Sequence, residues 1–276
     1  MLRRQTTLKE LLYEKSVNPN NYMAYCDLAQ IYWEAMRLTD AHELLVAAIE
    51  MEPMRWQAYR QIMYVEKRLG DMGNDQYYSK ALLHADELAT RRDMSQPEHF
   101  EALILKAVIL VTQKEYDEAQ RILDIIRNAM EKRPLEDLSD LERSVLSSTH
   151  AYRGFIGLEK EDQVNFARDE YMRAIEIDEE NAQAHFYLGK VCRRLGRGET
   201  DLERQLRFYR QAEREYKRAI DLDPNNPDRY QELGLLYYLD LKEIEKALPV
   251  FKKYKSLGGV SPSVDKFIVD IERMLR

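Results

Sequence analysis

Cysteine is nearly missing from this chain, which holds Cys26 and Cys192 and no others among its 276 residues. The two stand far apart and form no CxxC pair, so neither a disulfide framework nor a zinc site is expected. Glycine and proline number only 10 and 8 and fall at intervals, which argues against disorder and against a turn-rich β fold. Nowhere do about 18 apolar residues run together, so no membrane insertion is expected. The basic start MLRRQTTLKELL has its apolar stretch broken by Lys9 and Glu10 and does not read as a secretory leader. A net charge of −7 offers no broad basic face for nucleic acid. What remains is a soluble chain, expected in the cytoplasm.

Catalytic patterns are equally scarce. His42, His84, His99, His150 and His185 have no second His or Cys three or four residues away, and HExxH does not occur. The pairs GRG and GG lack the Lys-Ser/Thr of a phosphate loop, and there is no Gly-x-Ser-x-Gly. The acidic runs LEDLSDLE and EIDEEN read as helix starts and solvated faces. No enzyme activity and no cofactor or metal is expected.

What the chain does have is helical periodicity and a phrase written twice. Apolar residues make up 45% and charged residues 33%, enough for a core and a solvated surface. NYMAYCDLAQIYWEAM and DAHELLVAAIEM carry apolar residues at three- and four-residue steps, parted by the short break RLTD. EYDEAQRILDIIRNAM, QAHFYLGKVCRRLG and AEREYKRAIDLD behave alike, and no strand-like alternation lasts six residues. The stretch NPNNYMAYCDLAQIYW, from residue 18, is echoed by DPNNPDRYQELGLLYY, from residue 223.

From Pro19 to Pro53 is 34 residues, with Tyr25, Leu28, Ala29, Tyr32, Ala41, Leu45 and Ala48 between them. This resembles the tetratricopeptide repeat, in which aromatic, Leu-Gly/Ala, aromatic and small residues recur at fixed positions. Leu45 departs from the pattern by replacing an aromatic. Tyr230, Leu233, Gly234, Tyr237, Ala247 and Phe251 match after one inserted residue. Leu188, Gly189, Ala212, Tyr216, Ala219 and Pro224 match around an insertion near GETDLERQLRFYR. Ala107, Tyr116, Ala119 and Leu123 form a further unit; weaker ones keep Tyr59 and Gly70, and Gly154, Ala167, Tyr171 and Ala174. The resemblance implies an all-α fold, a right-handed superhelical solenoid over residues 1–276. Its parts are an N-terminal helix in 1–21, repeats near 22–55, 56–99, 100–146, 147–181, 182–226 and 227–260, and a cap in 261–276. In the cap, Val264, Phe267, Ile268, Ile271 and Leu275 form an apolar stripe.

The resemblance also implies a function, binding a partner protein in a concave groove lined by the first helix of each repeat. Carried onto this chain, the lining is Met23, Cys26, Gln30, Trp33 and Glu34, then Gln57, Arg60, Tyr64, Lys67 and Arg68. Ile104, Val108, Val111, Phe155 and Leu158 make an apolar middle. Phe186, Lys190, Arg193 and Arg194, then Gln231, Leu235 and Tyr238, complete it. Two basic clusters around an apolar stretch suit an amphipathic segment with acidic flanks. On this assignment Cys26 faces the groove and Cys192 the core. The family's carboxylate clamp is not expected, because its positions hold Cys26, Gln30, Gln61, Glu101 and Leu105. The alternatives are a structural subunit that uses its outer surfaces or self-associates through terminal helices, and a small-molecule or RNA-binding solenoid.

Overall fold

The computed structural model describes residues 7–91, 96–161 and 163–275. Among them every regular element is a helix. The first, α1 (Leu8–Val17), starts in a reciprocal cap: Glu10 N–H donates to the Thr7 hydroxyl, and Thr7 N–H donates to the Glu10 carboxylate. Six helix pairs follow in sequence. They are α2 (Tyr22–Glu34) and α3 (Leu38–Met51), α4 (Trp56–Asp71) and α5 (Gln76–Thr90), α6 (Gln96–Thr112) and α7 (Tyr116–Met130). Then come α8 (Asp140–Glu161) and α9 (Val164–Ile177), α10 (Ala182–Gly198) and α11 (Leu202–Leu222), α12 (Pro227–Leu235) and α13 (Ile244–Ser256). The last helix is α14 (Pro262–Met274).

The echoed phrase is a helix start. Asn21 and Asn226, at equivalent places in the two copies, both cap the next helix by accepting a backbone N–H, from Ala24 and Asp228.

The chain divides into two compact units, Met1–Ile122 and Leu123–Arg276, with the division inside α7. In the first unit α2 packs on α3 and α4 on α5, while α3 meets α4 and α5 meets α6. The leading helices also touch each other, α2 with α4 and α4 with α6, and so share one face. A hydrogen bond ties two of them, donated by the Ala58 N–H to the Tyr22 hydroxyl at 2.9 Å. In the second unit α8 pairs with α9, α10 with α11 and α12 with α13, and α14 packs on α13.

Small residues meet large ones inside the pairs. Ala29, Ala41, Ala48, Ala119, Ala167, Ala174, Ala212, Ala219 and Ala247 are all buried, as are Leu45, Tyr171, Tyr216 and Phe251. A Cβ on Gly189 would meet the Tyr216 ring at 2.7 Å, and one on Gly234 would meet Phe251 at 2.4 Å. Such spacing lets backbones approach where only glycine fits.

Three departures have physical causes. The break RLTD is shorter than the sequence suggests, because α3 already begins at Leu38, which is buried in the core. The insertion near residue 200 lengthens α10 and α11 instead of forming a loop. Gly196 then meets Tyr209 as Gly189 meets Tyr216, two turns further along the antiparallel pair. The single inserted residue of the last repeat is absorbed by a π turn at Leu236–Asp240. In α14, Val264 and Ile271 are buried and Phe267 and Ile268 half-buried, but Leu275 is 49% exposed and lies outside the stripe expected of it.

Candidate partner-binding face

The shared face of α2, α4 and α6 holds an open cavity of about 290 Å³ between α2 and α4. Residues three and four apart on a helix project to one side, and Gln30 with Trp33 on α2 face Arg60, Gln61 and Tyr64 on α4 across it. Ala29, Leu45 and Val65 form its apolar floor. Four residues expected in the groove, Gln30, Trp33, Arg60 and Tyr64, are thereby brought to one cavity.

Arg60 is not free. Its Nε donates to Glu101 Oε1 of α6 at 2.5 Å, and its guanidinium lies 5.9 Å from the rings of both Trp56 and Tyr64. Trp56, Arg60, Tyr64, Glu101 and Leu105 enclose a neighbouring space of about 10 Å³, room for about one water. The Glu101 carboxylate is buried and its Oε2 has no hydrogen-bond partner among the described residues. Among them Gln61 Oε1 is likewise a buried acceptor without a donor. At the rim, Gln30 Nε2 donates to Glu34 Oε1 at 2.9 Å. Burial first, and the Glu101 charge second, push the Tyr64 hydroxyl above its usual range, with Arg60 opposing.

The other expected cations of this unit differ in state. Lys67 pairs with Asp71 at 2.8 Å, one turn on, whereas Arg68 is exposed and has no ion-pair partner among the described residues. Of the apolar middle, Ile104 and Val111 are buried in the core, and Val108 is half-buried. Cys26, expected in the groove, is wholly buried beside Tyr22. Its assignment to an accessible position is therefore corrected, and both cysteines are core residues.

In the second unit the expected basic cluster is already neutralised. Arg193 is 6% exposed, with Nε on Asp240 Oδ2 at 2.6 Å and Nη1 on Glu232 Oε2 at 2.8 Å. Arg197 Nε donates to Asp240 Oδ1 at 2.8 Å, and Lys190 Nζ is 3.9 Å from Glu232. Arg194 is exposed. Arg193 is thus a buried structural ion, not a solvated groove cation. Phe155 and Phe186 flank Tyr187, with ring centroids at 5.6 and 5.3 Å, and Lys190 lies 5.7 Å above the rings of Phe186 and Tyr187. Tyr238 packs on Phe267 of α14 at 4.7 Å, so the cap covers part of a ring expected to face a ligand.

Sequence reasoning missed Trp56 and the accepting roles of Gln61 and Glu101. It also missed Glu66, a fully buried carboxylate bonded to His42 Nε2 at 3.1 Å and His84 Nδ1 at 2.9 Å. Burial raises its carboxyl, but the two imidazole bonds outweigh that and hold it below the usual range. The partners lie 24 and 18 residues away, beyond any local motif. His150 and His185 similarly meet Glu170 and Glu215 at 3.0 and 2.7 Å. Among the described residues no group of three or more His, Cys, Asp or Glu is arranged to hold a metal ion. Among them, too, no helix is long and apolar enough to cross a membrane.

Residues 203–240 match the family model described as TPR repeat. A chain of the crystal structure of the APC/C hetero-tetramer Cut9-Hcn1 is similar, with a TM-score of 0.66 at 10% identity, over 96% of this chain and 46% of that one. A tetratricopeptide repeat protein from Parabacteroides merdae gives 0.59 at 17% identity, over 96% and 90%. Human IFIT1, as a dimer with m7Gppp-AAAA, gives 0.62 at 15%, over 97% and 57%. The chain therefore spans about half the length of the first and third. Likeness at these identities establishes the fold. No curated protein matches the sequence.

Proposed function

We propose that this tetratricopeptide-repeat chain is a non-enzymatic interaction scaffold that holds a partner protein by a segment laid on the face of α2, α4 and α6. The observation that carries this reading is the open cavity with Trp33 and Tyr64 at its rim and an apolar floor beneath. Such a site desolvates one side chain of an incoming segment and fixes its register, while the helix face receives the rest. The Cut9-Hcn1 assembly is a case of this fold joined to other protein chains. The capped RNA of the IFIT1 structure is a weaker guide here. Glu34 is bonded to the lining residue Gln30, Glu101 pairs with the one lining arginine, Arg60, and the whole chain has a net charge of −7, all unfavourable to a polyanion.

The test compares two surfaces. Tyr64→Asp changes the cavity rim, and Leu83→Asp changes an exposed position on α5. With melting unchanged in both, Tyr64→Asp is expected to abolish capture of the natural partner and Leu83→Asp to leave it. A photo-crosslinker at position 64 should reach the partner. The opposite pattern would give the binding role to the outer helices and make the chain a structural subunit.

A further inference from the structure

Arginines stand in a line on α11. Arg204, Arg207, Arg214 and Arg218, with Gln211 among them, recur at three- and four-residue steps and fall on one side of the helix. The opposite side carries Tyr209, Ala212, Tyr216 and Ala219, all buried, so the line faces solvent and its four arginines are exposed. From Arg204 to Arg218 it runs about 21 Å along the axis.

The protein does not answer this charge. Arg204 and Arg218 have no ion-pair partner among the described residues. Arg214 makes only a long bond, from Nη1 to the Arg210 carbonyl at 3.5 Å. Arg207 meets Glu203 at 3.7 Å, with side chains 69% and 84% exposed, and so open a pair contributes little. Other arginines of the second unit differ. Arg153, Arg193, Arg197 and Arg210 each reach a carboxylate on a neighbouring helix or turn. Like charges one turn apart repel, as at Arg204 with Arg207 and Arg214 with Arg218, and an outside anion relieves that repulsion.

The flanks of the line decide which anion. Glu203 and Asp221 lie on one side of it and Glu215 on the other, so the positive strip is one side chain wide. A nucleic-acid backbone or a lipid surface spreads its phosphates to both sides and meets those carboxylates. A helix with carboxylates at three- and four-residue steps presents an equally narrow line, and each carboxylate matches a guanidinium fork. At the N-terminal end of α11, Leu202 is 79% and Leu206 48% exposed, one turn apart. They offer a protein helix an apolar anchor.

We propose that the outer face of α11 is a second docking surface, which takes an acidic amphipathic helix of a partner protein along Arg204, Arg207, Arg214 and Arg218. It lies in the second unit and does not depend on the cavity of the first. The acidic partner anticipated from the sequence is kept, but on other cations. Arg60, Lys67 and Arg193 are already paired with Glu101, Asp71, and Glu232 with Asp240.

The probe is a fluorescein-labelled, alanine-based helical peptide with leucines at one end and glutamates spaced as the four arginines are. Its anisotropy is followed on titration with the whole chain. Saturable binding that weakens with salt is expected, and the glutamine version of the peptide should bind at least about tenfold more weakly. Replacing Arg204, Arg207, Arg214 and Arg218 together by Gln should abolish binding. A charge-matched control, Lys80, Lys114, Lys132 and Lys266 to Gln, all exposed, should keep it. The single change Gln211→Glu puts a carboxylate inside the line and should weaken binding several-fold, with melting unchanged. Equal losses in the two fourfold variants, or equal binding of the glutamine peptide, overturn the assignment. No saturable binding of the glutamate peptide overturns it too. Tighter, stripe-dependent binding of oligothymidylate, or of phosphatidylcholine vesicles containing phosphatidylserine, would give the face to a phosphate ligand and overturn the acidic helix. Each of these outcomes leaves the Tyr64→Asp test of the first unit standing.

Discussion

The Tyr216 ring stands so close to Gly189 that a Cβ at that position would meet it at 2.7 Å. Tyr216 is fully buried, so its ring has no room to withdraw. Gly189→Ala should therefore overpack the α10–α11 contact and cost roughly 1–3 kcal/mol, read by urea unfolding. Gly198, on the same helix, has nothing within 4 Å of a built Cβ. Gly198→Ala should be neutral or stabilise by up to about 1 kcal/mol, through helix propensity alone.

Arg193 gives the second expectation. Its guanidinium is buried between Glu232 and Asp240. Arg193→Glu would place three carboxylates together and should cost roughly 3–5 kcal/mol, the penalty of stranding buried charge. Arg68→Glu, at an exposed position, should change stability by no more than about 0.5 kcal/mol. Thermal melts of the two variants separate these outcomes, and equal losses would contradict the placement of Arg193.

The cysteines should react slowly and alike. Burial pushes the Cys26 thiol up to about 11 and the Cys192 thiol up to about 12, so neither forms appreciable thiolate at neutral pH. Labelling by a thiol reagent in the folded chain should be slow at both sites and rise together in denaturant. Fast labelling of Cys26 alone would restore the groove position that the sequence suggested.

Acid should weaken the second unit through Glu213. Burial alone would raise its carboxyl, but bonds from Lys217, Arg210 and Tyr237 outweigh it and hold the value at about 2. A folded value below the unfolded one stabilises the protein above the ordinary carboxylate range and ceases to do so as pH falls toward 2. The contribution, on the order of 1–3 kcal/mol at neutral pH, should fade between about pH 5 and 2. Glu213→Gln should flatten that part of the stability curve and lower stability at pH 7. A curve as steep as the parent's would locate the acid sensitivity elsewhere.

How far the sequence could be read depends on separation along the chain. The helix pairs were legible because small–large contacts, such as Gly154 with Tyr171 and Gly234 with Phe251, recur at a short spacing. Gln30, Trp33, Arg60 and Tyr64 converge because a repeat places equivalent helix positions side by side. The state of those side chains was not legible. Arg193 finds its acids 39 and 47 residues away, and Arg60 finds Glu101 41 residues away. Periodicity shows that such residues are polar and on one helix side, but not that a neighbouring helix supplies the opposite charge. Cys26 shows the same limit, since a small side chain at a groove position can be covered by the residues around it.

The π turn at Leu236–Asp240 changes what one extra residue means. In an α-helix each residue advances about 100° around the axis, so an added residue would swing everything after it to another side. Here the wider turn confines the shift, and Asp240, its last residue, ends where it binds both Arg193 and Arg197. Shortening the chain by one residue in this turn would bring the repeat back to its usual length. It would also rotate Asp240 away and leave Arg193 buried beside Glu232 alone. The extra residue thus serves to neutralise Arg193, and a deletion that restores the family pattern should make the protein less stable.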